Sequence, residues 1–562
     1  MRRLKRTLCA GLCLLMALVS GCEKGLPWNR SPYERMERNE PSPSPTVSYE
    51  PWVQEIETDD RFTLKYDAQE TLNPLDCVAT YNIAVGELMY EGLFTVTEDF
   101  RAEPVLCDTM KSDDGRTWTI TILPDVVMHD GKPLTAADVA YTINECRENE
   151  KYVSRLSEIL EFSAIDNTTI RMVLDDPNYR AALLLDVPII RYGTADQPIP
   201  PGTGPYTFTK TIQGGKLTLF RHYRDADRLP ISTIYLSDTD YGQLTLAFTD
   251  SAIDLLQYDP TGLSLFNIRV DTEYHYYDTS VLQYIGFNHD HLITANYLFR
   301  QAVYYAVDRE GIVSGIMNGA AVAAPVMFSR EMSGYDKSWE PRESYSVSTM
   351  CSILASLGFN DSNADGYLEY PVSGVMTTFA LDFIVNSENS YKVAAAEQIT
   401  DVLKSIGLNV NLRKLSWSDY MDALQAGEFD MYYGEVKLSP DFDFRVLTSR
   451  YGDVNYGRQL GVSDAALAQL DTDPGRLGDM DYLEELDVSF YSQIIRAYLG
   501  ADLDGRPAAA RTLCQYFLED CYVIPVLYKR HAVLVHRDVV EGLQPTPSGI
   551  FQNITEWSIH LD

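Results

Sequence analysis

Few side chains in this sequence could do chemistry, and they are scattered. His129 stands beside Asp130, a pairing that could act as an acid/base couple. His289 and His291 lie two residues apart, so on an extended turn both could face one metal ion. No third ligand stands near them, and so thin a ligand set argues against a metal there. Asp361, Asn363, Asp365 and Gly366 are spaced like the first half of a calcium loop, whose twelfth position should be an acid that binds through both oxygens. Val372 holds that position, so the segment reads as a tight acidic turn, with calcium as the alternative. Gly202 and Gly204 could open a dinucleotide fingerprint, but Thr207 stands where its third glycine belongs. The sequence holds no GxSxG elbow, no HExxH and no Walker A loop. No catalytic residue, metal or cofactor is therefore expected, and any ATP-driven process would need separate ATPase subunits.

At 562 residues the chain exceeds what one core supports, so two or three domains are expected. Its 37 tyrosines outnumber its 20 phenylalanines, and tyrosine suits wet clefts because an apolar ring carries a polar tip. The formal net charge of −35 argues against nucleic acid and against electrostatic adhesion to anionic lipid. It reads as a solvated acidic surface.

The first residues carry Arg2, Arg3, Lys5 and Arg6, followed by an apolar run of 13 at 8–20, too short to span a bilayer. The run ends Val19-Ser20-Gly21-Cys22, small residues before a cysteine, as in a bacterial lipoprotein signal. That likeness implies a signal peptide over 1–21, cleavage before Cys22 and diacylglycerol on its sulfur. Two or three acyl chains would anchor firmly. Residues 22–60, with Pro41-Ser-Pro-Ser-Pro45 at their centre, lack apolar periodicity and read as a disordered tether. Cys77, Cys107, Cys146, Cys351, Cys514 and Cys521 form no CxxC; they read as small buried apolar residues, with one or two disulfides left open.

Several elements would have to position any site. Residues 62–66 alternate as a strand, and a helix begins near Tyr81. In 103–143, Asp113-Asp114-Gly115 turns between strands, and Trp118, Ile120 and Ile122 share a strand face. Thr135 caps the next helix, with Asp138 three residues on as in a capping box. Phe379, Leu381, Phe383 and Val385 alternate; Ser390 can cap a helix striped by Val393, Ile399, Val402, Leu403 and Ile406; Leu408, Val410 and Leu412 alternate again. This is a βαβ unit. A helix over 419–426 and a strand over 429–433 follow, which sets 439–444 at the strand-end edge where such sheets bind ligands.

Residues 284–326 order these signals most specifically: a strand, the Asn288 turn, a helix capped by Thr294, an Asp308 cap, a second helix ending at Gly319, then small residues and Pro325. With Phe287-Asn288, Arg300-Gln301-Ala302 and Ala306-Val307-Asp308-Arg309, the stretch resembles the middle of bacterial extracellular solute-binding proteins of family 5, the peptide- and nickel-binding receptors of ABC importers. Residues 103–143 and Gly202-Thr-Gly-Pro-Tyr206 match in the same order, so the resemblance covers about 60–560.

The resemblance implies an α/β, two-lobe periplasmic-binding-protein-like fold (type II, the large peptide-binding class) with an inserted third subdomain. Lobe I would comprise 61–97, 201–290 and 531–562, the insertion 98–200, and lobe II 291–530. It implies a lipid-anchored, monomeric receptor that takes an oligopeptide or related solute (a metal chelate, sugar or haem) by hinge closure. The receptor would sit outside the cytoplasmic membrane and serve an ABC permease and its ATPase subunits. The rival readings are a sensing or chaperone-like receptor on the same fold, and a hydrolase. Asp441, with Asp443 as rival, would accept a peptide's α-amine, and Trp417 would line the side-chain pocket. Tyr81 joins them as a ligand-binding residue. The Trp-containing run expected before that Asp is here Gly434-Glu-Val-Lys-Leu-Ser439.

Overall fold

Two unusually long strands, Thr272–Phe287 and Val523–His536, run antiparallel side by side. In the first, the early residues alternate in burial and the later ones are all buried, so its two ends face different surroundings. The computed structural model containing them describes residues 61–561, apart from 213, 263–267, 269, 449–455 and 457–489. The signal, Cys22, the tether and most of the acidic stretch after Val454 lie outside the described residues.

The long pair organises an 11-stranded sheet. At one end, Leu255–Tyr258 pairs with Val535 to Ala532, and Phe62–Lys65, Thr233–Ser237, Gly214–Leu219 and Tyr206–Thr211 extend the sheet outward. At the other end, Met431–Lys437 pairs with Val281 to Phe287, followed by the parallel strands Ala380–Asn386 and Asn409–Leu415. Each long strand thus belongs to two α/β lobes. Between them the ladder breaks: Asp278 faces Arg530 and Leu282 faces Tyr528, so three residues oppose Lys529 alone. Such a bulge bends and twists a strand locally. Asn288 ends the crossing strand, its backbone N–H bonded to Asp430 O.

The inserted subdomain has its own four-stranded antiparallel sheet, ordered Cys107–Lys111, Thr117–Ile122, Thr169–Leu174, Ile159–Ala164. Trp118, Ile120 and Ile122 face its core, and helix Ala136–Glu148 starts with a Thr135/Asp138 capping box, as the sequence predicts. The βαβ unit also forms as predicted, with Ala395, Ile399 and Leu403 buried on helix Ser390–Ser405.

Local differences have clear causes. Asn296, not Thr294, caps helix Tyr297–Ala306; Thr294 is buried and its hydroxyl donates to Asn288 O at 2.5 Å, which closes the turn. Asn389 rather than Ser390 caps the βαβ helix by accepting from Lys392 N. The strand expected over 429–433 runs on to Lys437, because its whole length pairs with the crossing strand. All six described cysteines are free, five of them buried, so burial rather than bridging explains their presence. Among the described residues no helix is long and apolar enough to cross a membrane.

Candidate functional site

A cavity of about 1420 Å³ lies between the lobes. The helix Thr80–Glu87 brings Ile83 and Glu87 to it, one turn apart on the same face. The insertion contributes Lys151 and Arg155, and helix Trp417–Ala426 contributes Trp417 and Tyr420. The bulged crossing forms part of its wall through Thr279, Ser280 and Lys529. Tyrosine is prominent, with Tyr90, Tyr223, Tyr258, Tyr277 and Tyr432 also lining the space.

Opposed charges meet at the crossing. Lys529 Nζ, itself 5% exposed, pairs closely with Asp259 from the first lobe and lies 3.6 Å from Glu435 of the second. Lys392 Nζ stands 3.3 Å from the same glutamate. Burial alone would raise the Glu435 carboxyl, but Lys392 and Lys529 outweigh it and hold it at about 2. Asp259 is likewise held at about 2, burial being overcome by Lys529 and His531. Burial would lower Lys529, yet the two carboxylates push it up to about 12. His531, half-buried beside Lys529 and Lys437, is pushed down to about 4 by desolvation in the cleft and by those cations, although Asp259 opposes the shift.

Two further groups give the cavity its character. Burial pushes Glu87 up to about 8, even though its carboxylate accepts the backbone N–H groups of Ile550 and Phe551. Lys437 is pushed down by burial and by the nearby cations Arg155 and Lys151. Among the described residues no ion pair engages Lys437, whereas Arg155 pairs with Asp186 and Lys151 donates to Pro74 O at 2.8 Å. This corner can receive an anion.

The residues singled out from the sequence fall in different places. Trp417 lines the cavity, its ring stacked on Tyr420 at 6.0 Å. Asp441 and Asp443 reach the cavity edge, but their carboxylates are engaged by the protein. Asp441 is 1% exposed and accepts from Ser439 Oγ at 2.6 Å and from Asn178 Nδ2 at 3.1 Å, while Arg180 Nε donates to its carbonyl at 3.0 Å. Asp443 is gripped by Arg445, which also pairs with Glu158 of the insertion. Tyr81 lies outside the cavity: it sits on the opposite side of its helix from Ile83 and packs with Leu244, Phe248 and Leu534, Lys65 Nζ lying 5.7 Å above its ring.

The other candidates serve structure. His129 accepts from Gly202 N at Nδ1 and donates from Nε2 to Gly204 O, while Asp130 pairs with Arg191. Gly204 passes so close to Met89 that a Cβ would lie 2.4 Å from its backbone, which explains the glycine without any phosphate. His289 is buried and stacks on Tyr522 at 4.4 Å, whereas His291 bonds Asp430, so the two imidazoles share no ion. Sequence reading missed Glu435, Lys437 and Lys529. Their signal was charge within otherwise apolar strands, which marks a strand face turned toward a cavity.

Two lobes joined by shared strands, with a solute-sized cavity between them, define a two-lobed binding protein of type II with an inserted subdomain. Residues 101–457 match the model of the bacterial extracellular solute-binding proteins, family 5 (middle), and the chain belongs to that family. The oligopeptide-binding protein AppA of Bacillus subtilis is 24% identical over 377 residues, covering 62% of this chain and 67% of that one. The heme-binding protein A of Haemophilus influenzae is 25% identical over 374 residues, covering 58% of this chain and 64% of that one. In structure, Bacillus subtilis AppA with a bound nonapeptide superposes with a TM-score of 0.59 at 20% identity, covering 89% of this chain and 99% of that one. NikZ of Campylobacter jejuni with Ni(L-His) gives 0.61 at 20% identity, with 88% and 98% covered.

Proposed function

We propose that this chain is the substrate-binding protein of an ABC importer, tethered outside the cytoplasmic membrane through lipid on Cys22, which captures oligopeptides by hinge closure and hands them to the permease. The observation that carries the peptide reading is the cavity volume of about 1420 Å³. Drug-sized ligands fill roughly 300–1,000 Å³, so the space suits a chain of several residues better than a small metal chelate. AppA, which resembles this chain in sequence and structure, holds a nonapeptide.

The lobes would divide near the Asp278–Leu282 bulge, which would serve as the hinge. Trp417 and the tyrosines would contact ligand side chains, and Lys437 would receive a carboxylate, terminal or acidic. Asp441 and Asp443 would act in this reading as latch residues, because their carboxylates already have partners from the insertion or its contacts. Ligand would favour the closed state through contacts made to both lobes at once. The site would release its ligand unaltered, in keeping with a family of solute-binding proteins.

Native mass spectrometry of the freshly purified protein tests this. A heterogeneous set of added masses that fragment as peptides supports the proposal. A single mass with the isotope pattern of a metal complex, or a haem, overturns the peptide assignment.

A further inference from the structure

On lobe II, away from the solute cavity, the chain makes a turn between helix Val347–Ser356 and strand Glu369–Val372. One carboxylate oxygen from each of Asp361, Asp365 and Glu369 lies within 4.8 Å of the others, and none of the three lines the cavity. Their positions are one, five and nine of a calcium-loop register, with Asn363 at three and Gly366, φ +90°, at six.

The turn is already folded into a ligand-bearing shape. Asp361 accepts from Asp365 N at 3.1 Å and Gly366 N at 3.0 Å, Asn363 Oδ1 accepts from Asp365 N at 2.8 Å, and Asp365 accepts from Tyr367 N at 2.8 Å. The deciding feature is Glu369, only 3% exposed. Its Oε2 accepts from Ser362 N at 2.7 Å, but its Oε1 is buried with no hydrogen-bond partner, and no ion pair with a described cation meets its charge. A buried carboxylate without a counter-charge is costly unless a cation stands beside it.

We propose that Asp361, Asn363, Asp365 and Glu369 bind a calcium ion that braces lobe II. The donors are all oxygen, which selects hard cations. Three oxygens up to 4.8 Å apart can all lie within about 2.8 Å of one ion, so a small closing movement brings them into the calcium range of about 2.3–2.6 Å, whereas magnesium at about 2.0–2.1 Å would require a larger one. Val372 removes the usual bidentate acid at position twelve, and the buried Glu369 supplies a third carboxylate instead. Missing one strong ligand, the site falls in the weak range of extracellular modules, with a Kd of about 0.1–1 mM. Leu368 N donates to Gly407 O at 2.8 Å, so ion binding here would fasten the turn to the end of the βαβ helix.

The test uses the full chain, stripped with EDTA and dialysed, then titrated with calcium chloride by calorimetry and by thermal unfolding. Saturable binding heat with a midpoint of about 0.1–1 mM is expected, with a Tm that climbs with the logarithm of calcium above that concentration, and magnesium should reproduce neither. Asp365→Asn, at an exposed position, should keep the calcium-free Tm and weaken calcium at least about tenfold, through loss of one charged ligand. The proposal is overturned by no saturable heat and no rise in Tm up to about 10 mM, well above the expected midpoint. It is equally overturned by an equal response to magnesium, or by a D365N protein that responds like the wild type.

Discussion

Replacing Lys529 with methionine probes the crossing between the lobes. The substitution keeps the length and packing of the stem and removes only the charge. Lys529 Nζ is 5% exposed and Asp259 15%, so neither is well screened by water, while Glu435 is a quarter exposed, to the cavity. At an effective dielectric near 20, unit charges about 4 Å apart attract by about 4 kcal/mol. Removing one member of a buried pair costs about 3–5 kcal/mol, because the remaining charge is left unpaired. Lys392 still stands 3.3 Å from Glu435, so the stranded group is chiefly Asp259, and a loss of about 3 kcal/mol follows. The assay is urea unfolding of the ligand-free protein at pH 7, read by tryptophan fluorescence. Asp259→Asn added to Lys529→Met should restore at least half of the loss, since it neutralises the stranded carboxylate. The reasoning is refuted if K529M costs under about 1 kcal/mol, or if K529M/D259N is less stable than K529M alone.

Other consequences are open to the same kind of check. Asp441→Ala and Asn178→Ala should each weaken ligand binding by about tenfold, because each removes the same charge-assisted bond across the rim; a loss seen with Asp441→Ala but not Asn178→Ala would mean that Asp441 touches ligand directly. Asp259 and Glu435, both held at about 2 against ordinary values of 3.8 and 4.5, contribute stability that is complete above about pH 5 and lost as pH falls toward 2. Thermal unfolding followed from pH 6 to pH 2.5 should show that decline, and K529M should flatten it. Gly286→Ala should destabilise by about 1–3 kcal/mol, since its Cβ would lie 2.1 Å from the buried Tyr432 ring; a Tm within 1 °C of wild type, on the scale of about 2–4 °C per kcal/mol, would contradict this.

The elements whose signals are local were legible in the sequence. The alternation at Leu381, Phe383 and Val385, the stripe through Ile399 and Leu403, and the Thr135/Asp138 box each depend on residues a few positions apart. The site residues depend on what covers them, and that information is distant. Asp441 meets Asn178 across 263 residues, and although Ser439 two residues away also donates to its carboxylate, the distant partner has no local signal. Tyr81 and Ile83 sit on one short helix, and which face turns toward the cavity is decided by Leu244, Phe248 and Leu534, far along the chain. The calcium-loop spacing was visible, but Val372 argued against it; burial of Glu369, which restores a third acid, belongs to tertiary structure.

The proposed hinge closure would have to hold the ligand and still release it. Polar contacts across the rim join Asn178 with Asp441, Arg445 with Glu158, Arg496 with Asp176 at 3.0 Å, and Tyr179 N with Leu499 O at 2.8 Å, and beside them Val96, Phe100 and Leu183 pack into the core of lobe II, the Phe100 ring meeting Phe442 at 5.0 Å. Each polar contact exchanges bonds to water for bonds to protein and is worth little net, whereas the Phe100 cluster buries apolar surface that separation of the rim would expose. At the other end the lobes cannot separate, because Thr272–Phe287 and Val523–His536 run through both. In the proposed hinge, opening would bend the chain at the bulge, where Lys529 holds Asp259 and Glu435 together. In that proposal a ligand bridging the walls would add the differential contact that shifts the balance toward closure, and its loss to a permease would return it.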